Sequence, residues 1–271
     1  MSQDPLFSVA DEIVVVTGAF GQLGSSYVRA FLSRGARVVA LDRVVDERGV
    51  AEKFGGPADR LVCIKADITD KASLAAALDA IKRKFGAPTV LINNAAIDTP
   101  PNAPAEENGP FETYPEESFD RVMSVNVKGS YLPCQVFGGA MAERGKGSIV
   151  NVSSIYGLVS PDQSIYEYRR QRGEEFYKPV AYSVSKSAIY NLTRYLAAYW
   201  GKAGVRVNTV TLAGVFNNQD KGFLDAYTAR IPIGRMANAN EYDGVVLFLA
   251  SPASSYMTGA NLLVDGGWCA I

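Results

Sequence analysis

The chain has no histidine among its 271 residues. Imidazole as general base, metal ligand or triad member is therefore excluded for this chain alone. Cysteine is scarce too. Cys63, Cys134 and Cys269 are an odd number, far apart, with no Cys-x-x-Cys spacing. That argues against a disulfide framework or a zinc site, and no metal site is read elsewhere. Three buried or half-buried thiols in a reducing cytoplasm are expected. Excess charge is also missing: 27 basic and 28 acidic side chains leave a net charge of −1. Nothing electrostatic favours nucleic acid or a membrane surface as partner. No apolar run approaches the roughly 18–20 residues of a membrane-spanning helix, and residues 1–12 are polar and acidic, unlike a secretory leader. The expected partner is a small molecule.

What the chain does have is alternation. Apolar, β-branched runs at Ile13–Thr17, Arg37–Asp42, Leu61–Ala66, Val90–Asn93, Ser148–Ser153, Arg206–Thr211 and Asn261–Val264 read as strands. Several are apolar almost throughout, as strands covered on both faces must be. Between them, Gln22–Arg34, Lys71–Phe85, Glu116–Arg144, Ala181–Ala203 and Ala239–Ala250 carry helical patterns. The succession predicts a seven-stranded parallel sheet flanked by helices, in a single-domain Rossmann-type doubly wound α/β fold. No linker, repeat or low-complexity block divides residues 1–271.

Two segments break the alternation. Residues 97–115 carry Pro100, Pro101, Pro104, Pro110 and Pro115 and read as a long loop after a strand. Residues 160–179 are polar, rich in Tyr and Arg, and lack a clean period. Both begin at the carboxyl end of a strand, where open α/β sheets bind ligands.

The run Thr17-Gly18-Ala19-Phe20-Gly21-Gln22-Leu23-Gly24 follows the first strand and opens a helix. Glycines there permit a tight turn and close approach of backbone to a pyrophosphate, which the helix N-terminus then holds. Asp42 ends the second strand, eighteen residues after Gly24. A carboxylate at that point accepts hydrogen bonds from ribose hydroxyls and repels a 2′-phosphate, so NAD is expected in preference to NADP. Arg43 beside it is the residue that would favour NADP. Asp67 and Ile68, after the third strand, read either as an adenine-edge contact or as a helix N-cap region.

Tyr182 and Lys186 stand four apart in Tyr182-Ser183-Val184-Ser185-Lys186 and so share one helix face. A fixed cation there is expected to lower the phenol from its ordinary pKa near ~10, making it an acid or base without histidine.

These residues resemble the short-chain dehydrogenase/reductase family over essentially the whole chain. The matching elements are the Gly-rich turn, Asp67, Asn93-Asn94-Ala95-Ala96, Asn126 in Val125-Asn126-Val127, Ser153-Ser154, Tyr182-x-x-x-Lys186 and Val264-Asp265-Gly266-Gly267. The resemblance implies that Ser154 hydrogen-bonds the substrate oxygen, Tyr182 transfers its proton, and Lys186 holds the nicotinamide ribose and tunes the phenol. It also implies that Asn126 anchors a proton-relay water, Asn94 and Ala95 lie along the cofactor, and Gly214 and Val215 line the nicotinamide pocket. Tyr156 is expected at the substrate. The implied enzyme is an NAD-dependent dehydrogenase interconverting a secondary alcohol and a ketone on a polar, sugar-like substrate, assembled as a homotetramer. Its two long helices are expected to present Tyr131, Phe137, Leu192, Leu196 and Trp200 beyond a single face, towards a partner.

Three features depart from the family pattern. Gly18, Gly21 and Gly24 are spaced three and three, where the single-domain branch uses four and two. That spacing suits an epimerase or dehydratase with tightly bound NAD, although the substrate domain of those enzymes is missing. A non-catalytic dinucleotide-binding sensor is the third reading, and the complete Ser, Tyr, Lys and Asn set opposes it. Ala213-Gly214 replaces the usual Pro-Gly. Finally, Ser154 and Tyr182 are 28 positions apart, about twice the family's separation. The extra residues make 160–179 an active-site insertion. Its Tyr166, Tyr168 and Tyr177 are expected to stack on a sugar, and its Arg169, Arg170 and Arg172 to bind phosphate or carboxylate, as a lid; the alternative is a solvated surface hairpin whose arginines only pair with Glu167, Glu174 and Glu175. With Ile155-Tyr156-Gly157 and Phe216-Asn217-Asn218-Gln219, this insertion resembles a branch tied to bacterial surface-sugar modification.

Overall fold

Strand burial dictates the architecture. β1 (Ile13–Thr17), β4 (Val90–Asn93) and β5 (Gly147–Ser154) are buried at every residue, so each needs neighbours on both edges and helices on both faces. The computed structural model, which describes residues 4–46, 49–55, 59–98 and 105–271, supplies both. With β2 (Arg37–Asp42), β3 (Leu61–Lys65), β6 (Val205–Leu212) and β7 (Asn261–Val264) they form a parallel sheet in the order β3-β2-β1-β4-β5-β6-β7. Alternate side chains go to opposite faces. Val14, Val16 and Val38 pack with Tyr27 and Phe31 of the helix Gln22–Leu32 and Val246 and Leu249 of Asp243–Ala250. Val15, Val39 and Ile149 pack on the other face with Leu74, Phe137, Met141 and Leu196. This is the Rossmann-type doubly wound fold. Its topology reverses between β1 and β4, and a crevice opens at their carboxyl ends. No helix among the described residues is long and apolar enough to cross a membrane.

Residues 116–144 form one helical rod with two π turns, Ser124–Lys128 and Cys134–Gly138. Pro133, which has no N–H to donate, stands immediately before the second. The expectation that Phe137 and Leu196 face outward is wrong: both are buried in the sheet-facing core. Leu192 and Trp200 also pack inward, Trp200 so closely that a Cβ at Gly138 would lie 2.7 Å from its ring. Tyr131 is exposed as expected, and the other large apolar side chains exposed on these helices are Val184, Tyr195 and Tyr199.

Segment 160–179 is built rather than loose. Asp162 caps a 3₁₀ turn, Gln163–Tyr166, which runs into a short helix, Glu167–Arg170. Ile165 and Tyr166 are buried there against Tyr227 of the helix Lys221–Thr228, forming a third apolar cluster over the sheet's carboxyl edge. Short helices such as this last one lack the length to show a period in the sequence. Of the prolines in 97–115, Pro100, Pro101 and Pro104 lie outside the described residues. Pro110 caps the 3₁₀ turn Phe111–Thr113, and Pro115 caps the helix Glu116–Met123.

Candidate active site

The Gly-rich turn is shaped by close approach. Gly18 takes a left-handed φ of 64°, and a Cβ there would lie 2.8 Å from Ala95 Cα. A Cβ at Gly24 would run into Gly18 O, so only glycine lets the helix sit this near the strand. Asn94 fixes the turn from the neighbouring strand, donating its side-chain amide to Thr17 O at 3.0 Å and Gly18 O at 3.2 Å. Ala95 N donates to Thr17 Oγ1 at 3.1 Å. Gly21 caps the helix Gln22–Leu32 with no side-chain hydrogen bond, which leaves its first N–H groups for an anion. Gln22 ties the turn to the loop after β6 through Phe216 O at 2.7 Å.

Asp42 closes this end, with Oδ2 accepting from Phe20 N at 2.9 Å and Oδ1 from Val44 N at 3.3 Å. Arg43 beside it is exposed. Asp67 accepts from Thr69 Oγ1 and Thr69 N at 2.7 and 2.8 Å, and these bonds hold its carboxyl below the usual range. Its geometry is that of the turn before a helix, while Ile68 is buried behind it. The glycine cradle, the uncapped helix and the strand-end carboxylate together fit a nicotinamide dinucleotide.

The crevice deepens into a cavity of about 300 Å³ whose lining includes Asn94, Ser154, Tyr156, Tyr182, Lys186 and Val215. Leu23 and Gly214 also line it, so the two ends of the site are continuous. Ser154 ends β5 and caps the short helix Ile155–Leu158, its Oγ accepting from Tyr156 N at 3.2 Å. Its own carbonyl is held by Tyr190 Oη at 3.1 Å. Tyr182 and Lys186 project from the helix Val180–Trp200, with Lys186 Nζ 5.8 Å from the Tyr182 ring centroid. Gly214 N donates to Tyr227 Oη at 2.8 Å, and a Cβ on Gly214 would collide with Met236 and Tyr227.

One expectation about this cluster fails. The phenol is not lowered. Burial raises Tyr182, the negative charge of Asp98 raises it further, and only the Ser154 hydroxyl opposes them. Burial also brings Lys186 down to about 8, against a partial upward pull from Asp98. Desolvation penalises the charged form of each residue, and it is the largest influence on both. Asn126, on the first π turn, does not line the cavity. Its side chain forms a two-way clamp with the backbone of Ile97, at 2.8 Å in each direction, and donates to Ser185 Oγ at 2.9 Å.

The three arginines of the insertion are also misplaced as anion ligands. Arg169 pairs with Glu174 at 2.7 Å, Arg170 with Glu167 at 2.8 Å, and Arg172 with Asp220 at 3.1 Å. Arg170 is further spent on the carbonyls of Phe176 and Gln163. None of the three lines the cavity. Tyr166 does line it, Tyr177 faces an adjoining groove, and Tyr168 lies under Arg172. Sequence reasoning missed Asp98, Lys178, Phe223, Tyr227 and Met236 as lining residues. Lys178 alone carried a signal, since it precedes Tyr182 by the interval at which Lys186 follows it. Cys134 is buried, Cys63 and Cys269 are half-buried, and no disulfide joins them.

Comparison with known proteins agrees with this geometry. Residues 18–269 match a family model described as enoyl-(acyl carrier protein) reductase. The D-threitol dehydrogenase of Mycolicibacterium smegmatis is 33% identical, the alignment covering 99% of this chain and 96% of that one. The L-tagatose-forming galactitol 2-dehydrogenase of Cereibacter sphaeroides is also 33% identical, with 99% of each chain covered. Among solved structures, a short chain dehydrogenase from Leptospira borgpetersenii with bound NAD+ superposes with a TM-score of 0.84 at 34% identity, covering 99% of this chain and 96% of that one. The chain belongs to the short-chain dehydrogenase/reductase family.

Proposed function

We propose that the protein is an NAD-dependent oxidoreductase interconverting a secondary alcohol and a ketone on a polar, sugar-like substrate. The observation that carries this reading is the convergence of Ser154, Tyr182 and Lys186 on one cavity continuous with the Gly-rich turn. Two relatives named for polyols, threitol and galactitol, support the substrate class. Asp42 supports NAD over NADP by its negative charge at the end of β2.

A nicotinamide dinucleotide, when bound along Gly18–Gly24, Asp42, Asn94 and Val215, supplies the hydride acceptor or donor. The rest of the chemistry falls to the chain. Tyr182 takes the hydroxyl proton of the alcohol, or returns it to the oxygen of the ketone. Ser154 holds that oxygen by donating its hydroxyl hydrogen, so charge developing there meets a fixed donor. Lys186 spends one of its three N–H groups on Val152 O at 3.0 Å and keeps two for a ribose. The raised Tyr182 keeps its proton at neutral pH and so is present in the form that a ketone needs, although its high proton affinity makes it a weaker acid. Oxidation of the alcohol then gains from rising pH.

Assembly as a homotetramer is supported by exposed aromatic residues on the two long helices, among them a stacked Tyr195–Tyr199 pair with centroids 6.1 Å apart.

The deciding experiment is a panel of polyols, ketoses and sugar acids with NAD or NADH, followed by NADH absorbance. Activity is expected with neutral polyols. Tyr182→Phe is expected to lose at least about 100-fold in kcat while retaining NADH affinity. Near-normal kcat in that variant at every pH would remove Tyr182 from the proposed role. Purified protein that holds NAD tightly and gives no net reduction would point to the transient-redox epimerase instead.

A further inference from the structure

The cavity above Tyr182 contains an ion pair for which the reaction just described has no use. Lys178 Nζ is bonded to Asp98 Oδ2, and the same ammonium lies 4.9 Å from the Tyr182 ring centroid, nearer than Lys186. It also stands 5.9 Å from the ring centroid of Tyr156. The Lys178 side chain is only 11% exposed, whereas that of Asp98 is 43% exposed, with its Oδ1 turned inward.

Both partners are held in place from behind. Gln163 clamps the Lys178 peptide, its Oε1 accepting from Lys178 N at 2.8 Å and its Nε2 donating to Lys178 O at 3.2 Å. Pro179 follows as the N-cap of the helix, and a proline there disfavours helical backbone at Lys178. Asp98 follows Ile97, whose backbone is gripped on both sides by Asn126. A long lysine and a loop aspartate on a surface would each lose entropy in pairing and gain little. Here the ordering is done by groups outside the pair.

The second carboxylate oxygen, Asp98 Oδ1, is buried and has no hydrogen-bond partner among the described residues. Leaving an ionised oxygen without a donor is costly, so this atom is an acceptor awaiting an O–H or N–H. The pair as a whole carries no net charge. An anionic group entering beside it would be attracted by Lys178 and repelled by Asp98 to a comparable degree. A neutral group with adjacent hydroxyls uses both partners and opposes neither.

We propose that Asp98 and Lys178 form a specificity element that binds two adjacent hydroxyls of a neutral polyol or ketose. Asp98 accepts an O–H from one hydroxyl, and Lys178 donates to the oxygen of the next. The proposal rests on the reading of Tyr182 as the acid/base, and it names the substrate class that site takes.

The test uses the full-length protein saturated with NADH. Neutral tetritols, pentitols and hexitols, and the corresponding aldonates, are titrated by calorimetry, and kcat and KM are measured in parallel. At least one neutral polyol is expected to bind wild type at least tenfold more tightly than its aldonate. Lys178→Met is expected to weaken that polyol at least tenfold in binding and in KM, with the NADH dissociation constant unchanged, which also reports that the variant is folded. Asp98→Asn, which keeps an acceptor but loses the charge, is expected to raise aldonate affinity relative to polyol at least tenfold. Polyol affinities unchanged in both variants, aldonates preferred by wild type, or no polyol bound at all would each overturn the proposal. Binding lost in the variants without turnover in wild type would sustain the pair and overturn the reaction. Turnover with KM indifferent to Lys178 and Asp98 would do the reverse.

Discussion

Lys186 Nζ lies 3.0 Å from Val152 O, two residues before Ser154 on β5, so the strand that carries the serine also holds the lysine. The ammonium is thereby placed within the site at a cost. Its pKa of about 8 stands well below the 10.5 of a free lysine because burial disfavours the charge. Asp98 pulls it only part of the way back up. Between about 8 and 10.5 an unfolded chain holds a proton that the folded chain has released, so stability rises with pH through that window. Below it, the full cost of burying the cation is present. Lys186→Met is therefore expected to stabilise the fold at neutral pH by about 1–2 kcal/mol, after allowing for an unpaired Val152 carbonyl, while losing most turnover. The gain should shrink towards about pH 10. Denaturant unfolding at the two pH values checks this, and a variant less stable than wild type at neutral pH would refute it.

Asp42 is expected to make the enzyme at least tenfold more efficient with NAD than with NADP, which is about 1.4 kcal/mol. Its carboxylate already accepts from Phe20 N and Val44 N, so an alanine there would loosen the turn as well as remove the charge. Asp42→Asn separates the two effects better, because its amide oxygen can keep the shorter bond from Phe20 N, although its NH2 cannot accept from Val44 N. That variant should move the kcat/KM ratio towards NADP at least tenfold. Equal efficiencies with both cofactors in wild type would shift the choice to Arg43.

The sheet was legible because buried parallel strands leave continuous apolar runs, and the observed strands differ from the expected ones by at most a residue at either end. The Gly-rich turn and the Tyr182/Lys186 pair were legible because their spacing follows from local geometry alone. Lys178 escaped because Pro179 stops the helix short of it, which hides an interval equal to that between Tyr182 and Lys186. The arginines of 160–179 misled for a different reason. Glu167 and Glu174 stand near Arg170 and Arg169 in the sequence as the pairing alternative, but Asp220 is 48 residues from Arg172. The lowered phenol was expected from one charge at one distance, whereas the fold adds burial of both groups, and burial dominates. Asn126 was read from a motif, which says nothing of the clamp it makes on Ile97.

The same distinction between inward and outward faces decides the assembly. Tyr195 and Tyr199 are 64% and 68% exposed and stack at an interplanar angle of 10°, and Tyr131 on the neighbouring long helix is 45% exposed. On a monomer these rings would gain nothing from water, and replacing them with charged residues would change stability by no more than about 0.5 kcal/mol. At an interface the same change buries unpaired charge and splits the assembly. The wild-type protein is therefore expected to be a tetramer by light scattering at micromolar concentration. Tyr195→Glu combined with Tyr199→Glu should reduce it to dimers or monomers with its circular dichroism unchanged. A wild-type monomer would end the tetramer reading. A tetramer that survives both substitutions would move the interface to another surface, where the half-exposed edge strand β7, with Leu263 at 43%, offers the next apolar face.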